Sequence, residues 1–301
     1  PLLPDMFDEP FADSSQIPMY LVSKIAKSKV TVCLSGDGGD ELFGGYNRYL
    51  VASKLWNKIS KIPKLGKSAL AYLIKSMKPS VWDKISDLLY KNKYSNLGYK
   101  LHKGADSLQS KNIDDLYFNL ISTIKNPTEW LISSEEHLNT NYNFDPKISG
   151  IERMMIKDLV GYLPTDILTK VDRTSMAVSL EARTPFLDKE IVKFALTLPE
   201  EYKIKAEVGK SVLRDVLYKY VPRDMIERPK MGFGVPLAEW MRGELRVWCE
   251  DLLNEKKLKE DGFFNSKVIR EKWNEHLKGD VDWHHELWNV LIFQAWLNNN
   301  R

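Results

Sequence analysis

Residues 30–46 read VTVCLSGDGGDELFGGY, and this stretch decides the fold class that the sequence predicts. Its first five residues, 30–34, are β-branched or apolar almost without interruption, which is typical of a strand buried on both faces of a parallel sheet. A helical pattern precedes the strand, and a glycine-rich turn with another helical pattern follows it. This order predicts an α/β unit. We expect a ligand site at the turn, because open α/β sheets bind ligands at the carboxyl ends of strands.

The turn combines glycines with three carboxylates within five residues. Gly36, Gly38 and Gly39 permit unusual backbone angles and the close approach of a ligand. Exposed N–H groups in such a turn suit a phosphate, whereas Asp37 and Asp40 would repel one unless a hard cation lay between. Mg²⁺ is the usual cation, held by one or two carboxylates and by phosphate oxygens. The alternative is a tight acidic turn that only caps a helix.

Three common ligand-binding motifs do not fit this turn. The dinucleotide pattern G-x-G-x-x-G breaks at Glu41, and the Gly-Lys-Ser/Thr of a P-loop is absent. A calcium loop needs acids at alternate positions, whereas Asp37 and Asp40 are three apart.

Helical periodicity predicts that most of the remaining chain is α-helical, with few strands. The residues Leu163, Pro164 and Asp166 favour a helix start, because proline is tolerated in a first turn and an acid suits the positive end of the dipole. Residues 125–150, rich in Asn with two prolines, predict a long irregular connection. The predicted helices span about 15–28, 38–60, 65–78, 112–124, 149–161, 164–180, 188–198, 209–219, 244–257, 266–278 and 284–298.

Charge is distributed unevenly along the chain. The net charge is +3, but residues 51–104 contain twelve lysines, two acids and no arginine, which leaves −7 for the rest. The net charge does not indicate a nucleic-acid-binding protein. We interpret the basic segment as a lysine-coated helical hairpin. The alternative is a docking surface for an anionic polymer, although phosphate recognition more often uses arginine.

Composition excludes several other classes of protein. A chain of 301 residues with 43% hydrophobic and 28% charged residues forms a globular core rather than a disordered region. No run approaches the ~20 apolar residues that span a bilayer. Two cysteines, Cys33 and Cys249, exclude a disulfide framework and favour a reducing, cytoplasmic location.

Four segments in a fixed order resemble the glutamine-dependent asparagine synthetase family. The first is LSGDGGDELFGGYNRY at residues 34–49. The others are DRTSM at 172–176 running into LEARTPFLD at 180–188, GKSVLR at 209–214, and RPKMGFGVP at 228–236.

The resemblance implies a mostly α-helical part of an α/β PP-loop ATPase fold (the adenine nucleotide α-hydrolase type), with few parallel strands. Residues 1–301 would form a single ATP-pyrophosphatase-type synthetase domain. Residues 8–15 resemble the stretch that follows the family's S-G-G-x-D-S turn, and neither that turn nor the family's glutaminase domain occurs in this sequence. We therefore expect the chain to be truncated at its N-terminus, inactive alone and weak in ATP binding.

The activity that the resemblance implies is that of a ligase. ATP activates a carboxylate as an acyl-adenylate, and ammonia from glutamine then attacks the acyl carbon. Aspartate is the default acceptor, which implies asparagine biosynthesis. Asp37 stands where asparagine synthetases often have Glu, so another carboxylate, such as a sugar acid of a surface polysaccharide, is the alternative. A third hypothesis is a non-catalytic module that binds an anionic polymer through residues 51–104.

The resemblance also implies roles for individual residues and partners. Lys210, Asp37 and Asp172 would be catalytic, with Asp37 managing protons, and Asp40 would bind Mg²⁺. We expect no nucleic acid or membrane partner, and the resemblance allows a homodimer in the intact protein. Glu181 and Arg183 are interpreted as a structural ion pair. The residues expected to bind ATP and pyrophosphate are Ser35, Gly36, Gly38, Gly39, Asp40 and Lys210; those expected to bind the acceptor are Glu41, Tyr46, Lys230, Gly232 and Phe233.

Overall fold

The computed structural model describes residues 2–90, 97–124, 126–133, 144–227 and 234–301, and most of them are helical. The α-helices up to residue 130 are α1 (Gln16–Lys27), α2 (Gly39–Phe43), α3 (Asn47–Ile59), α4 (Lys64–Lys75), α5 (Pro79–Tyr90), α6 (Leu97–Ser107), α7 (Ile113–Ile121) and α8 (Pro127–Trp130). Those after residue 144 are α9 (Gly150–Lys157), α10 (Thr169–Met176), α11 (Lys189–Thr197), α12 (Glu200–Lys203), α13 (Ser211–Leu217), α14 (Arg223–Ile226), α15 (Leu237–Arg242), α16 (Arg246–Leu252), α17 (Glu255–Asp261), α18 (Ser266–Lys278) and α19 (His284–Asn299).

The chain divides into two compact units that alternate along the sequence. Unit one comprises residues 1–8, 13–53 and 143–235, and unit two comprises 9–12, 54–142 and 236–301. The single synthetase domain over residues 1–301 stays a prediction.

Unit one contains a parallel strand pair. Strand β1 (Val32–Leu34) pairs with β2 (Glu181–Arg183), so that Cys33 lies opposite Ala182. This confirms the prediction of few parallel strands, but β1 is shorter than residues 30–34. The prediction of burial on both faces is wrong: Leu34 is 73% exposed. Within the described residues β1 has one paired neighbour, so no packed sheet covers its apolar side chains.

A continuous helical run extends from α9 to α10 in unit one. Ser149 begins it with a capping box, in which its hydroxyl accepts from the Glu152 N–H and the Glu152 carboxylate accepts from the Ser149 N–H. Residues Asp158–Leu168 between α9 and α10 form a π-helix. The predicted helix start at Pro164 is therefore wrong, because Pro164 lies inside the run. The hydroxyl of Thr169 donates to the Pro164 carbonyl at 3.0 Å, so this backbone oxygen has a side-chain donor within the run.

Two of the predicted helices are broken in the structure. The helix expected over 38–60 divides into α2 and α3, because Gly44 adopts a left-handed conformation with φ of 66° and ends α2. The helix expected over 244–257 ends with α16, and the Asn254 side chain caps a new helix, α17, by accepting from the Lys256 and Lys257 N–H groups. The helices α5 and α6 were not predicted individually.

The other helical predictions agree with α1, α4, α7, α11, α13, α18 and α19 to within a few residues. The connection expected over 125–150 contains the short helix α8 and the start of α9, and residues 134–143 of it lie outside the described residues.

Each unit has its own apolar core. In unit one, Leu42 and Phe43 of α2 pack with Ala195 of α11. In unit two, Ile59, Ala71, Ala105 and Leu116 bring α3, α4, α6 and α7 together. None of the helices in the described part of the chain has the length and apolar character to cross a membrane.

Candidate functional site

Strand β1 delivers the chain to the acidic glycine turn, residues 35–41. The Ser35 N–H donates to the Arg183 carbonyl at 2.8 Å, which extends the β1–β2 pairing by one residue. The Ser35 hydroxyl donates to Oδ2 of Asp37 at 2.6 Å. Because this hydroxyl holds the carboxylate, Asp37 has a defined orientation next to the strand end.

Glycine is required at the next bend for conformation and for space. Gly38 has a φ of 85°, and a Cβ there would overlap the Leu187 side chain. At Gly39 a Cβ would lie 3.2 Å from the Phe186 ring, tighter than ordinary packing. The turn is therefore packed tightly against residues 186–187, while no atom lies within 4 Å of the position that a Cβ would take at Gly36.

A strained hairpin brings Lys210 to the turn. Strand β3 (Ile204–Lys205) pairs with β4 (Val208–Gly209) through Ala206 and Glu207, which both have positive φ. Lys210 itself has a φ of 59°, uncommon for a residue with a side chain, and its N–H donates to the Phe43 carbonyl at 2.8 Å. Backbone strain of this kind persists only where the surrounding structure holds it, as the hydrogen bond to Phe43 does here.

The Lys210 ammonium donates to Oδ2 of Asp40 at 2.8 Å, and both side chains are a little under one-third exposed. Two glycines make this approach feasible. A Cβ at Gly45 would overlap both Asp40 Oδ1 and Lys210 Cε, and a Cβ at Gly209 would overlap the Gly44 carbonyl. The sequence of the turn therefore fits the pair sterically as well as electrostatically.

Glu41 and Tyr46 face a buried polar network instead of the open turn. Glu41 is 2% exposed, and the Tyr46 hydroxyl donates to its Oε1 at 2.8 Å. Burial raises the pKa of the Glu41 carboxyl, and burial together with that carboxylate raises the pKa of Tyr46. The Arg48 guanidinium lies 4.1 Å from the Tyr46 ring centroid.

Two charged clusters that the sequence did not indicate lie in the same unit. Arg48 and the Tyr49 hydroxyl both donate to Oδ2 of the buried Asp158. The second cluster joins buried Lys170 to Asp13 and, at 3.3 Å, to Asp166.

Burial, with the nearby Asp13 charge, raises the pKa of Asp166 to about 6. The i, i+4 spacing of Asp166 and Lys170 was visible in the sequence, but Asp13 is 157 residues from Lys170.

The remaining predicted residues lie apart from this cluster or outside the described residues. Asp172 is exposed on α10, and the structure records no hydrogen bond or ion pair between the described side chains of Asp172 and Asp37, Asp40 or Lys210. The ion pair between Glu181 and Arg183 is confirmed at 2.7 Å. The predicted acceptor-binding residues Lys230, Gly232 and Phe233 lie outside the described residues.

The donor set of the turn fits a magnesium ion that arrives with phosphate. No three His, Cys, Asp or Glu side chains converge on a metal position within the described part of the chain. The turn instead presents Asp37 and Asp40, three residues apart beside a cationic lysine. Mg²⁺ commonly binds one or two carboxylates and takes its other ligands from substrate phosphates and water.

These features define a mostly helical protein with a parallel strand pair and a glycine-rich, carboxylate-containing turn at the end of its first strand. The chain belongs to the asparagine synthase family, whose model matches residues 1–298. This confirms the resemblance seen in four segments and, at the level of the family, the ligase class.

Two curated relatives match almost the whole chain, and a third matches a shorter part of it. Asparagine synthetase [glutamine-hydrolyzing] 1 of Bacillus subtilis is 32% identical over 300 residues, which are 98% of this chain and 44% of that protein. A putative asparagine synthetase of Mycobacterium tuberculosis is 31% identical over 293 residues, covering 96% and 42%. One from Methanocaldococcus jannaschii is 52% identical over 59 residues, covering 20% and 11%. The chain thus spans less than half the length of the first two.

Proposed function

We propose that this chain supplies the synthetase chemistry of a glutamine-dependent amide ligase, which activates a carboxylate with ATP and transfers ammonia to it. The observation that carries the proposal is the ion pair between Lys210 and Asp40 at 2.8 Å. Asp40 lies in the glycine-rich turn that follows the parallel strand β1. Family membership supports the reaction class. We further propose that the β1–β2 pair is part of a PP-loop ATPase sheet and that residues 1–301 belong to one synthetase domain.

The first step joins two anions, since the acceptor carboxylate attacks the α-phosphorus of ATP and pyrophosphate leaves. Lys210 stabilises the charge that develops on the leaving group. Its ammonium is held by a single carboxylate oxygen and stays partly exposed, so it can contact a phosphate without large rearrangement. Mg²⁺ bound by Asp40 and phosphate oxygens would supply further neutralisation of this charge.

The second step needs a proton acceptor, because ammonia loses a proton after it attacks the acyl carbon. Asp37 is the candidate in this chain. The Ser35 hydroxyl orients its carboxylate at 2.6 Å, and the adjacent Gly36 leaves open space. An oriented carboxylate next to open space suits a general base.

The acceptor that we favour is aspartate, since the relatives are named asparagine synthetases. The short side chain of Asp37, held close to the strand by Ser35, supports one alternative, a bulkier carboxylate such as a sugar acid. Ammonia would come from glutamine, as the names of the relatives state for those proteins, through a glutaminase domain separate from residues 1–301.

The test is pyrophosphate release by the protein as its gene encodes it, with ATP, Mg²⁺ and an ammonium salt, and with aspartate or a uronic acid as acceptor. We expect Lys210→Ala to lower kcat by about 10²–10³-fold, the usual cost of removing one positioned charge-stabilising group. Lys210→Arg keeps the charge and should restore part of the rate.

Lys205→Ala is the matched control, because Lys205 is an exposed lysine of the same hairpin. It should leave the rate unchanged. An active Lys210→Ala protein would contradict the proposed role of the lysine, and pyrophosphate release without dependence on any carboxylate acceptor would contradict the ligase.

A further inference from the structure

A cavity of about 660 Å³ lies within unit two, and none of its lining residues is among those proposed for the synthetase chemistry. Helices α4, α6, α8, α18 and α19 contribute to its lining. Its volume falls in the range of small-molecule sites, and its walls combine tryptophan rings with charged side chains. The family resemblance assigned no role to any of its lining residues.

Two tryptophans form one corner of the cavity. Trp130 is 4% exposed, and its ring meets that of Trp283 edge to face, with centroids 6.2 Å apart. The Trp283 indole N–H donates to Oε2 of Glu275 at 2.7 Å, which fixes the ring. The corner is therefore a rigid aromatic surface.

The Lys272 ammonium lies in this aromatic corner, 3.9 Å from the Trp283 ring centroid and 5.1 Å from that of Trp130. Ring faces stabilise a cation but accept its N–H donors poorly. Among the described residues, no carboxylate lies within ion-pair distance of Lys272. An anionic oxygen in the cavity would complete the coordination of this ammonium.

Glu286 lines the same cavity and is 6% exposed. Its Oε2 is buried and has no hydrogen-bond partner. Burial raises the pKa of this carboxyl, and the smaller opposing contributions of its own backbone N–H and of the His284 and Lys272 charges do not offset it. Leaving such a group unsatisfied is costly, and a bound ammonium would satisfy it.

Other charged groups of the lining have partners or face water. Lys75 pairs with Asp106, and the Asn126 amide donates to Glu129 at 3.0 Å. Lys78 and Asp280 are exposed. Among the described lining residues, Lys272 thus has no ion pair and Glu286 Oε2 has no hydrogen-bond donor, although the two charges act on each other across the cavity, and this arrangement is the complement of a zwitterion.

We propose that this cavity binds a free α-amino acid, with the ligand carboxylate on Lys272 and the ligand ammonium on Glu286. Both charges of the ligand are needed, because each one satisfies a different protein group. The remaining volume accommodates the amino-acid side chain. This inference does not rest on the proposed synthetase function.

Isothermal titration of the 301-residue chain with each of the twenty L-amino acids tests the proposal. We expect at least one to bind, and its N-acetyl derivative and its carboxamide to bind at least about tenfold more weakly, since each lacks one charge-assisted contact. The proposal is overturned when no amino acid gives heat at millimolar concentration, or when either derivative binds as tightly as the parent compound.

Variants locate the site. Glu286→Gln and Lys272→Met should each weaken binding at least about tenfold. Glu271→Gln and Lys267→Met, at exposed positions of α18, are the matched controls and should bind normally.

Lys210→Ala should also bind normally, which separates this site from the synthetase chemistry. Full binding by both cavity variants would overturn the assignment. If a cavity variant fails to fold, the comparison of charge-lacking derivatives on the unaltered chain still decides.

Discussion

Unit one contains two ion pairs between an aspartate carboxylate and a basic side chain, and their surroundings differ. Asp40 pairs with Lys210 at 2.8 Å, and Asp158 pairs with Arg48 at 2.6 Å. Asp40 and Lys210 are 29% and 28% exposed and lie among glycines. The Asp158 side chain is 2% exposed, and the rings of Tyr46 and Tyr162 lie against the Arg48 guanidinium.

The contrast teaches how one unit uses ion pairs for two purposes. One oxygen of Asp158 accepts from Arg48 Nε, Arg48 Nη2 and the Tyr49 hydroxyl, so three donors fix this buried carboxylate, while the Arg48 side chain stays 27% exposed. Asp40 and Lys210 remain accessible to a ligand. A buried pair is costly to break but contributes little when it is replaced whole, whereas an exposed pair contributes little to stability and remains available for chemistry.

Removal of one carboxylate from each pair tests the contrast most strongly. We expect Asp158→Ala to lower the free energy of unfolding by about 1–3 kcal/mol, because it leaves the buried Tyr49 hydroxyl and the partly buried Arg48 guanidinium without this acceptor. Asp40→Ala should lower it by less than about 1 kcal/mol. Urea denaturation followed by circular dichroism measures both, and equal losses would refute the distinction between the pairs.

Gly45→Ala tests the glycine surroundings of the accessible pair. The new Cβ would overlap Asp40 Oδ1 and Lys210 Cε. Because both atoms belong to side chains, we expect the two side chains to move apart and the backbone to keep its position. We expect pyrophosphate release to fall about tenfold to a hundredfold, as expected for a misplaced catalytic group.

The free energy of unfolding of the Gly45→Ala protein should change little in the same urea experiment. Gly161→Ala is the control, since no atom lies within 4 Å of the position that its Cβ would take. A Gly45→Ala protein with the normal rate would show that the pair does not need this close approach.

Much of this contrast could not be predicted from the sequence. The glycine turn was identified from the residues, and the family resemblance assigned Asp40 and Lys210 to the pyrophosphate site, but their ion pair was not predicted, because 170 residues separate them. Asp158 sits in an ordinary helical pattern, and its partner Arg48 is 110 residues away. Local periodicity carries no information on such tertiary contacts.

The fold shows the same limit. Periodicity located most helices, because one face of each is apolar. It missed the break at Gly44, where a single left-handed residue ends α2, and the π-helix around Pro164. The apolar run at 30–34 correctly indicated a strand but gave its burial wrongly, since burial depends on how many neighbours a strand has.

Glu41 lies between the Asp40–Lys210 pair and the Arg48–Asp158 pair in the network of contacts. The pH dependence of stability that it causes is the smallest of the effects that we expect. Glu41 follows Asp40 in the sequence, and it accepts from Tyr46, whose ring lies against Arg48. Burial raises the pKa of its carboxyl above the ordinary 4.5. As the pH rises through 4.5, the unfolded chain therefore releases this proton first, and stability falls until the pH passes the folded pKa. Glu41→Gln retains an acceptor for Tyr46 but has no proton to lose.

We therefore expect the Glu41→Gln protein to gain stability relative to the parent as the pH rises from about 4 to about 7 in urea titrations. Glu201→Gln, at an exposed position, is the control that removes a carboxyl group outside the buried network. A curve for Glu41→Gln that runs parallel to that of the parent would mean that Glu41 ionises as easily in the folded protein as in the unfolded chain. The buried network around Arg48 and Asp158 would then be as well solvated as the Asp40–Lys210 pair, and the contrast between the two regions would fail.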